Sequence, residues 1–118
     1  MSGQTGYHAG LVAEDIVARD YTGRAHAVAA KRWRGLGGEI DLVMRNGLQV
    51  VFVEVKKSAS FARAATRLSQ KQMHRLVAAG SEFLANEPNG QLTEVRFDLA
   101  LVNGQGQVQV IKNAFGAA

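Results

Sequence analysis

Two apolar runs on either side of Asn46-Gly47 constrain this chain more than any other feature. Glu39-Ile40-Asp41-Leu42-Val43-Met44-Arg45 precedes the pair, and Leu48-Gln49-Val50-Val51-Phe52-Val53-Glu54-Val55-Lys56 follows it. Asn and Gly tolerate the positive φ that a two-residue hairpin turn demands, so the segment reads as an antiparallel hairpin over 39–45 and 48–56. With the turn on Asn46-Gly47, Arg45 faces Leu48, Asp41 faces Phe52 and Glu39 faces Glu54. Alternation then places Ile40, Leu42, Met44, Val51, Val53 and Val55 on one apolar face. The other face carries Val43, Val50 and Phe52 near the turn and Glu39, Asp41, Glu54 and Lys56 at its open end.

Four ionisable groups on a surface otherwise suited to burial oppose folding. Like charges directly opposed in a sheet repel by up to ~1 kcal/mol, and by more when desolvated. Converging carboxylates match the oxygen ligands that Mg²⁺ prefers, and a bound cation removes the repulsion. Lys56 shares the face of Glu54 and can steady developing anionic charge or orient an attacking water. Asp, Glu and Lys around a metal form equipment for hydrolysing a phosphodiester. The bland alternative is a solvated sheet end where Lys56 bridges the carboxylates and Glu39 swings outward. A one-residue slip in register would dismantle the cluster.

The remaining elements place this hairpin in an α/β (α+β) domain. A helix is expected over about 8–21, with Ala9, Val12 and Ile16 as its apolar stripe and Gly23 at its end. Residues 25–33 read as a strand, and Gly35, Gly37 and Gly38 as a flexible corner. After a polar, basic stretch over 57–68, Ser69 with Gln72 fits a capping box. Met73, Leu76, Val77, Gly80, Phe83 and Leu84 then form a helical stripe, halted by Asn86 and Pro88. Val95, Phe97, Leu99 and Leu101 alternate with Arg96, Asp98 and Ala100 as a half-buried strand, and a last strand lies around Val108 to Ile111. The 118 residues suit one domain. No cysteine is present, which excludes disulfides and thiolate metal sites. With no membrane-length apolar run and no signal-peptide pattern, a soluble cytoplasmic protein is expected. The formal charge of +4 and sequence pI near 9.9 favour polyanionic partners.

Gly38-Glu39-Ile40-Asp41-Leu42-Val43 followed by Phe52-Val53-Glu54-Val55-Lys56 resembles the YraN family of bacterial proteins. That family is similar to archaeal Holliday-junction resolvases and belongs to the restriction-endonuclease-like PD-(D/E)xK superfamily. The likeness covers nearly the whole chain, since Glu14, Arg34, Lys71 and Arg96-Phe97-Asp98 also fall where the family has similar residues. It implies an αβββαβ core with a mixed sheet flanked by helices. It implies that Asp41 and Glu54 ligate Mg²⁺ or Mn²⁺, that Lys56 assists the chemistry, and that Glu14 is a candidate extra ligand. Ile40 stands where the superfamily name expects Pro, and nothing carries over onto 57–68. The activity implied is metal-dependent endonucleolytic cleavage of DNA, with branched or damaged DNA as candidate substrates. A homodimer fits that activity, because symmetric cutting of two strands needs two sites.

Arg63, Arg67, Lys71 and Arg75 recur every fourth residue. On a helix that begins early enough they make one basic ridge, suited to a phosphate backbone or equally a solvated helix face, while a cap at Ser69 would leave the first half of the ridge in a loop. Arg34 is a further nucleic-acid-binding candidate. Trp33 reads as an edge-strand residue packed on the core ahead of a base-stacking one. Asp98 reads as the partner of Arg96, and His8, His26 and His74 have no metal-ligand spacing. Two other function classes remain beside the nuclease: a non-catalytic nucleic-acid-binding module with the same fold, and an interaction protein with an inert charge cluster.

Overall fold

The structure, a computed structural model, describes residues 2–115, with side chains from Ala9 onward. In order it contains α1 (Ser2–Thr22), β1 (Ala27–Arg34), β2 (Glu39–Asn46), β3 (Gln49–Lys57), α2 (Phe61–Ala65), α3 (Gln70–Leu84), β4 (Val95–Val102) and β5 (Val108–Phe115). Through β4 this is the expected αβββαβ order with one short helix, α2, added before α3, and β5 extends the sheet. The five strands lie in the order β1-β2-β3-β4-β5. Pairing is antiparallel except between β3 and β4. A parallel pair needs a crossover, and α2 and α3 supply it.

Helices cover both faces of the sheet. On one, Ala13, Val17, Ala18 and Tyr21 of α1 pack with Leu42, Met44, Val51, Val53, Ala100 and Val102. The apolar stripe of α1 thus runs one position later than its sequence pattern suggests, and Val12 is exposed. On the other face Leu76, Ala79 and Leu84 of α3 pack with Ile40, Val43, Val50, Phe52 and Phe97. Phe52 meets Phe97 at 5.1 Å and Phe83 edge-on at 5.7 Å. Gly80 permits this approach, because a Cβ there would stand 3.0 Å from both Phe52 and Phe97. Truncating so enclosed a ring costs about 3–5 kcal/mol. Trp33 joins this core through an edge contact with Phe83 at 5.4 Å, as expected for the edge strand β1.

The hairpin forms, but in another register. Asn46 pairs with Gln49, Arg45 with Val50 and Leu42 with Val53, so the turn is Gly47-Leu48. Gly47 has φ +63° while Asn46 and Leu48 stay negative. That φ pattern belongs to a type II′ turn, which needs only its first central residue in the left-handed region. The displacement is two residues, which moves every partner but leaves side chains on their faces. Ile40 departs from the rest: it joins the α3 core rather than the α1 face expected for it. The regular β2–β3 pairing stops at Leu42–Val53, which releases the alternation just where Asp41 begins.

The glycine corner is held rather than flexible. Glu82 of α3 accepts from the amides of Leu36 and Gly37 at 2.8 and 2.7 Å. Ser69 caps α3 as expected, accepting from the Gln72 amide at 3.1 Å. Ser60 caps the short helix α2 in the same way. No described helix is long and apolar enough to cross a membrane.

Candidate active site

Where β2 and β3 separate, Asp41 no longer makes ladder contacts; its Oδ2 accepts from the Val55 amide at 2.8 Å. This anchors one carboxylate beside the strand that carries the other. Glu54, only 5% exposed, lies on β3 opposite Leu99 of β4. Lys56 follows two residues later on the same face, its Nζ 3.1 Å from Glu54 Oε2. Glu14 from α1, Asp41, Glu54, Lys56, Arg67 and Gln72 line one cleft of about 420 Å³. Asp41, Glu54 and Gln72 also line an adjoining cleft of about 260 Å³ with Glu39 and Arg75.

Burial sets the electrostatics. Loss of solvent raises the Glu54 carboxyl most, a hydrogen bond and like charge from Asp41 raise it further, and Lys56 only partly offsets them, so it titrates near 8. At contact range the two acids have one ammonium, Lys56, so the pair itself is under-compensated. The donor set is all carboxylate oxygen, the kind that hard divalent cations take. Asp41 and Glu54 therefore fit a cation such as Mg²⁺ or Mn²⁺. Among the described residues no group of three His, Asp or Glu side chains stands close enough to hold a metal ion. Two protein carboxylates suit Mg²⁺, which keeps several waters of its own.

Glu14, expected as an extra ligand, is engaged elsewhere. Arg32 grips both its oxygens, at 2.9 and 3.0 Å. Burial and then the nearby Asp41 charge raise its carboxyl above the usual range. Arg32 does this from a left-handed backbone, φ +49°, which an Arg adopts only under strain. Glu39 does not oppose Glu54; it pairs with Arg34 at 2.9 Å and approaches Arg32 at 3.9 Å. The like-charge contact thus falls between Asp41 and Glu54.

The basic ridge is not one ridge. Arg63 belongs to α2, Arg67 to the turn after it, and Lys71 and Arg75 to α3 beyond the Ser69 cap. Arg67 and Arg75 still reach the two clefts. From Val55 to Ser81 the chain has six Lys and Arg and no Asp or Glu. Among the described residues, Arg24, Lys31, Arg32, Arg34, Arg45 and Arg96 each pair with a carboxylate, whereas Lys57, Arg63, Arg67, Lys71 and Arg75 do not. Uncompensated positive charge therefore gathers on the α2–α3 side. Arg34, by contrast, has its charge matched by Glu39.

In the sequence Gln72 is legible only as the partner of the Ser69 cap. Its backbone amide serves Ser69, but its side chain leaves the helix and donates Nε2 to Glu54 Oε2 at 3.1 Å. Asp98 meets its expectation, taking Arg96 at 2.7 and 3.0 Å. His26 bonds the Arg24 carbonyl and stacks edge-on with Tyr21, and His74 lines a different cleft with Met73, Val77 and Phe115. The His8 side chain lies outside the described residues.

The family model described as "Uncharacterised protein family UPF0102" matches residues 13–102. A UPF0102 protein of Cereibacter sphaeroides is 60% identical over 99% of this chain and 100% of its own length. One of Ruegeria pomeroyi is 55% identical over 97% of this chain and 93% of its own length. One of Dinoroseobacter shibae is 48% identical over 88% of this chain and 78% of its own.

Proposed function

The chain belongs to the UPF0102 family, which is the YraN family its motifs resemble, and on that premise we propose that it is a metal-dependent endonuclease acting on DNA. The observation that carries this reading is the meeting of Asp41, Glu54 and Lys56 in one cleft beside the cationic stretch from Val55 to Ser81, which holds no acid. When bound, a divalent cation would supply a Lewis acid for the phosphoryl oxygen and lower the pKa of a bound water. Asp41 and Glu54 would hold it. Val55 keeps Asp41 in place through its amide. Lys56, within the cleft, is placed to orient a water or steady the charge that grows on the phosphate. Lys57, Arg63, Arg67, Lys71 and Arg75 would engage the backbone and fix its position without reading its sequence.

A second reading has its own observation in favour. Glu14 is turned to Arg32, so among the described residues two carboxylates converge, and a protein that binds nucleic acid without cutting it would have no use for a third. One assay separates the two. The wild type and Asp41→Ala are incubated with Mg²⁺ or Mn²⁺ and linear, flapped and four-way DNA. The nuclease reading expects cleavage of at least one substrate, lost in Asp41→Ala while binding survives. Binding by both proteins with cleavage by neither would favour the non-catalytic module.

A further inference from the structure

We infer that Gln72 is a positioning residue for Glu54: its side-chain amide pins Oε2 so that Oε1 is the oxygen presented to a cation. The inference rests on reading Asp41 and Glu54 as the cation ligands. Glu54 Oε2 accepts a hydrogen bond from Gln72 Nε2 at 3.1 Å and has the Lys56 ammonium as its ion-pair partner at 3.1 Å. With both partners on Oε2, Oε1 is the oxygen left for a cation. A Glu side chain has three rotatable bonds, and one flexible Lys from the same strand fixes it poorly. Gln72 comes instead from the first turn of α3, which Ser69 and the core residues Leu76, Ala79 and Leu84 hold in place. The amide therefore ties the carboxylate to a rigid element on the far side of the cleft. Its place three residues after Ser69 aims it there, while its backbone amide alone satisfies the cap. Groups that orient a metal ligand in this way typically set metal affinity by 10–100-fold.

Gln72→Met keeps the length of the side chain, removes the donor and leaves the Ser69 cap intact. Ser69→Ala does the reverse, removing the cap and sparing the Glu54 contact. Mn²⁺ affinity of the protein alone is read from the free-Mn²⁺ electron paramagnetic resonance signal, and melting temperature from the metal-free protein. Gln72→Met is expected to raise the Mn²⁺ Kd about tenfold or more, with a melting temperature near that of the wild type. Ser69→Ala is expected to lower the melting temperature and leave the Kd within about twofold. An unchanged Kd in Gln72→Met overturns the inference, as does an equal rise in Ser69→Ala, which would assign the effect to the helix end. Wild type that binds no Mn²⁺ would overturn the cation-site reading itself, and the inference with it.

Discussion

Asp98 and Glu54 are both acids sunk in adjoining central strands, yet their surroundings are opposite in kind. Asp98 is 0% exposed on the α1 side of the sheet. Each of its oxygens has two donors: Arg96 Nε and the Asn113 amide on Oδ1, Tyr21 and Arg96 Nη2 on Oδ2. Burial and the Asp98 carboxylate together keep the Tyr21 phenol protonated far above its ordinary range. Glu54, on the α3 side, has Lys56 and Gln72 on one oxygen and a second acid beside it. The first acid is complete without any further partner. The second is left needing positive charge, and it alone of the two opens on a cleft. A fully satisfied buried acid reads as architecture, and an under-compensated one facing a cavity reads as a site.

The largest effect expected from this contrast is on folding. Asp98→Ala leaves the buried Tyr21 hydroxyl and the half-buried Arg96 without their acceptor, and removing one partner of a buried pair costs up to about 3–5 kcal/mol. Urea denaturation should show the midpoint falling accordingly. A loss below about 1 kcal/mol would mean that the Asp98 network is not structural and would dissolve the comparison.

The smaller, functional side of the contrast lies in the cations that flank the cleft. Replacing Arg67 and Lys71 with Ala should weaken DNA binding across all sequences and reduce the salt slope by up to about 0.9 per lost phosphate contact. An unchanged slope would place the phosphates on another surface. Arg34→Ala, whose charge Glu39 already matches, should alter the slope less than either.

The local signals in the sequence were sound. Alternation predicted the hairpin and the face shared by Glu54 and Lys56, and Ser69 predicted the start of α3. The register was misjudged because Asn46-Gly47 suits a turn with two left-handed residues, while the chain uses one, at Gly47. The cluster survives this because a displacement of two residues keeps Glu54 and Lys56 on their face, and the Val55 amide holds Asp41 beside them. Extending the observed register brings Asp41 beside Glu54 instead of Phe52. What sequence could not supply are the contacts between distant elements. Gln72 reaches Glu54 across 18 residues, Glu82 reaches Leu36 across 46, and Tyr21 reaches Asp98 across 77. No periodicity couples such positions. The capture of Glu14 by Arg32 depends likewise on how α1 docks against β1, whereas the division of the basic ridge at Ser69 is legible from the cap signal, because a helix cannot run through its own cap.

The central claim is that the Asp41–Glu54 pair awaits a cation rather than serving as a structural bridge to Lys56. The metal-free melting temperature of wild type and Glu54→Gln, measured from pH 4.5 to 8.5, tests it most directly when repeated with Mn²⁺. The folded-state pKa of Glu54 is raised from 4.5 to about 8, so between those values the folded protein binds more protons than the unfolded chain. Stability from this group is complete below pH 4.5 and is lost as pH rises through 8. The wild type should therefore lose melting temperature over that window and recover it with Mn²⁺. Glu54→Gln should match or exceed the metal-free wild type at pH 8, with a flatter profile and no response to Mn²⁺. A markedly less stable Glu54→Gln, beside a wild type indifferent to Mn²⁺, would contradict the account and assign the carboxylates to a structural bridge.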